Sequence, residues 1–142
     1  MRTQIFIAFF LLASCDKEKN KPSDFFWDSM VVTASAYNST INQTSSNPFI
    51  TAFGDSLKPG MKYIAVSRDL LKKGLKHNTP VIIEGFEGFY LVKDKMHSKW
   101  RNHIDIYMGN DIDAAKQWGR RKVCIDFRLP EGTDIIKIRT LH

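Results

Sequence analysis

From residue 30 onward the chain alternates apolar and polar positions in short runs, broken every few residues by glycine, proline or asparagine. Residues 61–66, 103–108, 121–127 and 134–140 carry the two-residue period of half-buried strands, residues 30–37 are β-rich, and the continuous apolar runs 81–83 and 89–92, opened by Pro80 and Gly88, read as strands too. Residues 49–53 read as a further short strand, ended by Gly54-Asp55. Two patches have helical spacing instead. Ser67 is placed to cap residues 68–73, which Gly74 stops; Asn110 or Asp111 is placed to cap residues 112–118, which Gly119 closes. Lys58-Pro59-Gly60 is a turn signal, and residues 38–48 are a polar loop. No internal repeat is visible. Many short strands and only two helical patches predict a mainly β chain closed into a small barrel, which leaves no sheet edge open to aggregation. Within Val123-Cys124-Ile125-Asp126-Phe127 the pattern suggests a buried strand thiol at Cys124, and helical spacing puts Trp118 against the core.

The first residues follow a different pattern. Arg2 precedes Ile5-Phe6-Ile7-Ala8-Phe9-Phe10-Leu11-Leu12, an apolar run that suits a secretory segment and is far short of the roughly 20 residues a spanning helix needs. Leu12-Ala13-Ser14-Cys15 then resembles a bacterial lipobox, in which a thiol takes the diacylglyceryl group and small residues precede it. That resemblance implies a signal peptide over residues 1–14, lipidation at Cys15, and attachment to the outer membrane of the cell envelope. Residues 15–29 form the lipidated cysteine and tether, since residues 16–24 hold no large apolar side chain. The charged Asp16-Lys17-Glu18 is similar to the export signal of Bacteroidetes lipoproteins. Phe25-Phe26-Trp27 is too apolar to be left in water, and is expected to dock on the domain or on the membrane face. The domain proper is residues 30–142.

Composition narrows the chemistry. At 142 residues, with a charged fraction of 25% and a hydrophobic fraction of 43%, this is one ordinary globular domain. Two cysteines, one of them the lipid site, leave no internal disulfide. The net charge of +6 suits an anionic polymer of the envelope; nucleic acid is not expected as a partner of an exported lipoprotein. His97 and His103 have aspartates nearby, but no further His or Cys completes a ligand set, so neither metal nor cofactor is expected. Paired Asp-Thr/Ser-Gly turns of an aspartic protease are missing, as are a Gly-x-Ser-x-Gly elbow and a Cys/His nucleophile pair.

Two carboxylates remain. Asp94 ends one strand and Asp105 lies inside the next, alternating with Ile104 and Ile106, so that His103 and Tyr107 share its face. The pair is expected to converge at a barrel mouth. An aspartate walled by apolar neighbours is where a raised pKa suits general acid catalysis.

Thr33-Ala34-Ser35-Ala36-Tyr37, Ile64-Ala65-Val66, Gly74, Thr79-Pro80-Val81 and Asp94…Ile104-Asp105-Ile106-Tyr107…Ala115…Trp118-Gly119-Arg120…Val123 together resemble the three-aspartate (3D) domain over residues 31–127. This resemblance implies a six-stranded double-psi β-barrel with one or two short helices, similar to rare lipoprotein A and membrane-bound lytic transglycosylase A. It further implies cleavage of the β-1,4 bond between N-acetylmuramic acid and N-acetylglucosamine in peptidoglycan strands. Asp105 and Asp94 would then be the catalytic carboxylates, with Tyr37, Thr33, Tyr107, Trp100 and His103 against the glycan and the chain acting as a monomer. Tyr37 and Tyr107 serve equally well as barrel filling, and Trp100 as a cover for the core. Two departures stand out: Asp94-Lys95-Met96-His97 replaces Asp-Thr-Gly-Gly, and Ser67 stands where a third aspartate is usual, with Asp69 two residues on. Lys95 and Met96 are expected to narrow the groove. The alternative is a non-catalytic glycan-binding lipoprotein on the same barrel.

Overall fold

The alternating runs become strands that close on one another. A computed structural model describes residues 26–39 and 49–129. Strand β1 is Trp27–Tyr37, β2 Tyr63–Val66, β3 Pro80–Ile83, β4 Tyr90–Lys95, β5 His103–Tyr107 and β6 Arg121–Arg128; helices α1 (Arg68–Lys72) and α2 (Ile112–Trp118) follow β2 and β5. The signal peptide, Cys15, the tether up to residue 25 and the expected strand 134–140 lie outside the described residues.

The strands form a closed barrel in the order β1-β5-β2-β4-β3-β6. Two pairs are parallel, β1 with β5 and β2 with β4, and the other four are antiparallel. Replacing β1, β2 and β3 by β4, β5 and β6 reproduces the same set of pairings, and it carries α1 onto α2. The chain is therefore a strand-strand-helix-strand unit used twice, with the interlocked parallel crossovers of a double-psi barrel. The sequence shows no trace of that repeat.

Alternation sends Val32, Ala34, Ile64, Val66, Ile104 and Ile106 inward, where they meet Val81, Val92, Ile125 and Phe127 in one fully buried core. Odd-numbered residues of β1 and β5 face out. Gly74 ends α1 at φ 108°, a left-handed value that costs glycine little, and a Cβ there would lie 2.9 Å from Leu129 Cδ2. Asp111 caps α2, accepting from the Ala114 N–H at 2.9 Å. Ser67 opens α1 without capping it; its Oγ accepts from the His103 N–H at 3.0 Å.

Three expectations need correction. Residues 49–53 form no strand: a single bridge joins Ile50 to Ser56 across a turn, because Thr51 accepts from the Phe53 and Asp55 N–H groups and curls the segment. Cys124 is exposed, because the alternation that buries Val123 and Ile125 turns the thiol to the outer face. Phe26 stays largely in water, and Trp27, itself half exposed, stacks on the exposed Phe89 with ring centroids 5.8 Å apart. Trp118 does pack against the core, and Arg121 lies over its ring.

Candidate functional site

One lateral row of residues crosses four neighbouring strands on the outer face of the barrel wall. Ser35 on β1 pairs with Asp105 on β5, Asp105 with Ala65 on β2, and Ala65 with Asp94 on β4. The two aspartates thus share a face with one strand between them, which separates their backbones by about 10 Å, two strand spacings. They meet on the outside of the barrel, not at its mouth. Ala65 contributes only a methyl group, so a hollow is left between the carboxylates.

A β-bulge is what puts Asp94 in the row. Ile64 pairs with Val92, but Ala65 pairs with Asp94, so Lys93 is the extra residue. Without it, strict alternation from the buried Val92 would bring Lys93 beside Ala65 and turn Asp94 towards the core. Lys93 instead reaches Asp55 at 2.8 Å. Asp55 also pairs with His77, and the Lys93 hydrogen bond is the main reason its carboxyl is held below the usual range.

The hollow opens into a cleft of about 190 Å³ lined by Tyr37, Ala65, Asp94, Lys95, Met96, His97, Trp100 and Asp105. Both expected carboxylates therefore face one cavity, joined by two of the five expected glycan-contact residues, Tyr37 and Trp100. Lys95 and Met96 do form part of its wall. Thr33, Tyr107 and His103 do not line it. Thr33 lies one rung beyond Ser35, opposite His103, and uses its N–H on the Asn102 carbonyl. Tyr107 is buried, its ring tilted against that of Tyr37 with centroids 5.3 Å apart, and hydrogen-bonded through its hydroxyl to Ser39 at 2.8 Å. His103 is only 3% exposed and sits behind Ser35.

Asp105 is set up as an acid. Burial pushes its pKa from 3.8 up to about 6, and the charge of Asp94 adds to the rise, against the Ser35 hydrogen bond and the Arg120 guanidinium. Asp94 is raised too, by burial first, although its Oδ1 accepts from the Ala52 N–H at 2.7 Å and the Lys95 N–H at 2.8 Å. The Ala52 bond makes Asp94 a clamp on the 51–56 turn, beside the Lys93–Asp55 ion pair. Among the described residues, Asp105 has only the Ser35 hydroxyl on Oδ1, at 3.0 Å. The hydroxyl of Tyr37 is buried without a hydrogen-bond partner among the described residues, and burial, then Asp94 and Asp105, keep it from ionising. It can therefore donate to a bound group.

Behind the acid lies a second layer. Ser35 Oγ is 2.7 Å from His103 Nε2 as well as 3.0 Å from Asp105 Oδ1, which makes a chain of three groups. The Trp100 ring packs at a tilt against the His103 imidazole, centroids 4.6 Å apart, and the Lys99 and Arg120 cations lie over that indole. Burial, then Arg120, holds the His103 pKa below its ordinary value. Ser35, Ala65 and Arg120 are the participants that reading single residues passes over. Ser35 is found only through register, as the β1 residue opposite Asp105, and Ala65 matters for the side chain it lacks. Among the described residues, no group of three or more His, Cys, Asp or Glu side chains is close enough to hold a metal ion.

No protein-family model matches the sequence, and no curated protein matches it. Among solved structures, the apo expansin of Clavibacter michiganensis is similar at 18% identity with a TM-score of 0.43. A point mutant of that expansin in complex with cellohexaose is similar at 16% identity and 0.44. Each comparison covers 75% of this chain and 52% of the other, so the chain spans about half the length of those structures.

Proposed function

We propose that the cleft is the active site of a peptidoglycan-cleaving enzyme, a lytic transglycosylase in which Asp105 is both general acid and general base. The observation that carries this reading is one aspartate, half-buried, with its pKa raised to about 6, facing an open cleft. The neutral carboxyl donates its proton to the glycosidic oxygen as the bond to the sugar C1 breaks. The muramyl 6-hydroxyl then attacks C1, and the Asp105 carboxylate takes the hydroxyl proton, closing the 1,6-anhydro ring and restoring the acid.

The bonding of Asp94 favours this chemistry over a double displacement. A retaining glycosidase needs its second carboxylate free to attack the sugar, whereas Asp94 Oδ1 accepts from two backbone N–H groups. The intramolecular 6-hydroxyl makes a second carboxylate unnecessary. Asp94 serves by its charge and by holding the 51–56 wall. Tyr37 and Trp100 supply a hydroxyl and an aromatic face for sugar. Lys95 and Arg120 give the rim positive charge that suits the carboxylates of peptide stems.

The test is digestion of purified sacculi with product analysis by mass spectrometry. Asp105→Asn should release anhydro-muropeptides at least about 100-fold more slowly than wild type; an unchanged rate overturns the assignment. If the wild-type protein binds sacculi and yields no anhydro product, the non-catalytic glycan-binding reading takes its place. The lipobox-like Leu12-Ala13-Ser14-Cys15 supports a lipid-anchored envelope protein, and Cys15→Ser should move the protein from the membrane to the soluble fraction.

A further inference from the structure

We propose that Asp105, Ser35 and His103 act as one proton-holding unit, in which a single proton is shared between the aspartate and the buried imidazole through the Ser35 hydroxyl. The geometry is fixed by two same-face rungs of the parallel β1/β5 pair, with Ala34 and Ile104 between them: Ser35 faces Asp105 and Thr33 faces His103. Ser35 Oγ is within hydrogen-bond distance of both ends, 2.7 Å from Nε2 and 3.0 Å from Oδ1.

A serine hydroxyl has one hydrogen and free lone pairs, so it can be satisfied in two ways between these groups. With Asp105 ionised and His103 cationic, Nε2–H donates to Oγ and Oγ–H donates to Oδ1. With both ends neutral, the carboxyl donates to Oγ and Oγ–H donates to a bare Nε2. Each arrangement makes the same two hydrogen bonds. Passing from neutral to charged, Ser35 takes the proton of Asp105 and hands its own to Nε2. One proton changes ends, no electron moves, and the serine keeps one hydrogen throughout.

Burial acts on the two ends in opposite directions, raising the carboxyl to about 6 and lowering the imidazole, so their proton affinities approach one another. The surrounding groups are few. Arg120 acts on both ends, Asp94 acts on Asp105 from across Ala65, and Lys99 reaches the unit only through the Trp100 ring that covers the imidazole. Tyr37 is kept neutral by burial, and Ser67 holds the main chain of His103. Ser35 and His103 are thus positioning residues for the acid. In the proposed reaction, the proton that Asp105 takes from the sugar hydroxyl is shared with His103 through Ser35 and is back on the carboxyl when the next glycosidic oxygen is protonated. That catalytic meaning rests on the glycan-cleaving reading; the sharing itself is measurable without substrate.

The test is an NMR titration of the full chain carrying ¹⁵N-labelled histidine and ¹³C-labelled aspartate. In wild type, His103 Nε2 and the Asp105 carboxyl carbon should each show two steps at common midpoints. Ser35→Ala should reduce each to one step and move the Asp105 midpoint by about one pH unit, while Ser35→Thr, which keeps the hydroxyl, restores two. His103→Gln, read at the Asp105 carbon, should leave one step and serves equally if Ser35→Ala does not fold. Single, independent steps in wild type, or curves unchanged in Ser35→Ala or His103→Gln, overturn the inference. Because no turnover is involved, an inactive protein with coupled titrations would overturn only the glycan-cleaving reading, and an active one with independent titrations only the relay.

Discussion

At the scale of single residues, the site is a matter of which carboxylate stays free. Asp94 and Asp105 face one cavity and both are raised by burial, yet Asp94 spends Oδ1 on two N–H groups while Asp105, among the described residues, has only a serine hydroxyl there. The raised pKa of Asp105 also has a cost in stability. The folded chain holds that proton more tightly than the unfolded one, so the penalty for a buried charge is complete above about pH 6 and gone below pH 3.8. Asp105→Asn should therefore unfold at higher urea than wild type at pH 8, by about 2–3 kcal/mol, with a difference under about 1 kcal/mol at pH 4. Equal stabilities at pH 8 would mean that Asp105 is not paying for burial. Turnover moves in the same direction: an acid that must start protonated predicts a rate falling as pH rises through about 6. That the candidate acid was Asp105 was legible from alternation with Ile104 and Ile106. Its hydrogen bond to Ser35 was not, because the two are seventy positions apart in the chain and no local pattern links them.

At the scale of elements, the bulge in β4 and the turn at residues 51–56 decide the shape of the cleft. Asp94 joins them, since its carboxylate is the acceptor for Ala52. Asp94→Ala leaves that N–H and the one of Lys95 without their acceptor, at about 1–3 kcal/mol, and should speed amide exchange at Ala52 while leaving the barrel amides protected. Asp94→Asn keeps an acceptor oxygen and should leave exchange near the wild-type rate. Protection at Ala52 that survives Asp94→Ala would remove the clamp from the account. Helix boundaries were legible to within a residue, because Asp111, Gly74 and Gly119 are local signals whose effect needs no tertiary partner. The 49–53 segment was misread for the converse reason: its apolar Phe49 and Ile50 look like a strand, but the Thr51 hydroxyl supplies the hydrogen bonds that curl it.

At the scale of the whole molecule, the barrel is stabilised by a core that draws on every strand. Phe127, fully buried beside Gly74 and Leu129, should cost about 3–5 kcal/mol on Phe127→Ala; a melting temperature within a degree or two of wild type would mean that the barrel can close around the hole. Cys124 offers a check on strand orientation: in native Cys15→Ser protein it should react with a thiol reagent without unfolding, whereas a thiol labelled only in denaturant would mean that β6 is turned the other way. What the sequence determined by itself is whatever short-range physics fixes: a mainly β chain, two short helices with their glycine stops, and which face of β5 carries Asp105. What only the tertiary structure decided is whatever depends on pairing between distant segments. The twofold use of one strand-strand-helix-strand unit is invisible in the sequence because barrel closure constrains apolar alternation and turn positions, which many residues satisfy, rather than residue identity. The row Ser35, Asp105, Ala65, Asp94 exists only because two parallel crossovers and one bulge bring four strands into a single register.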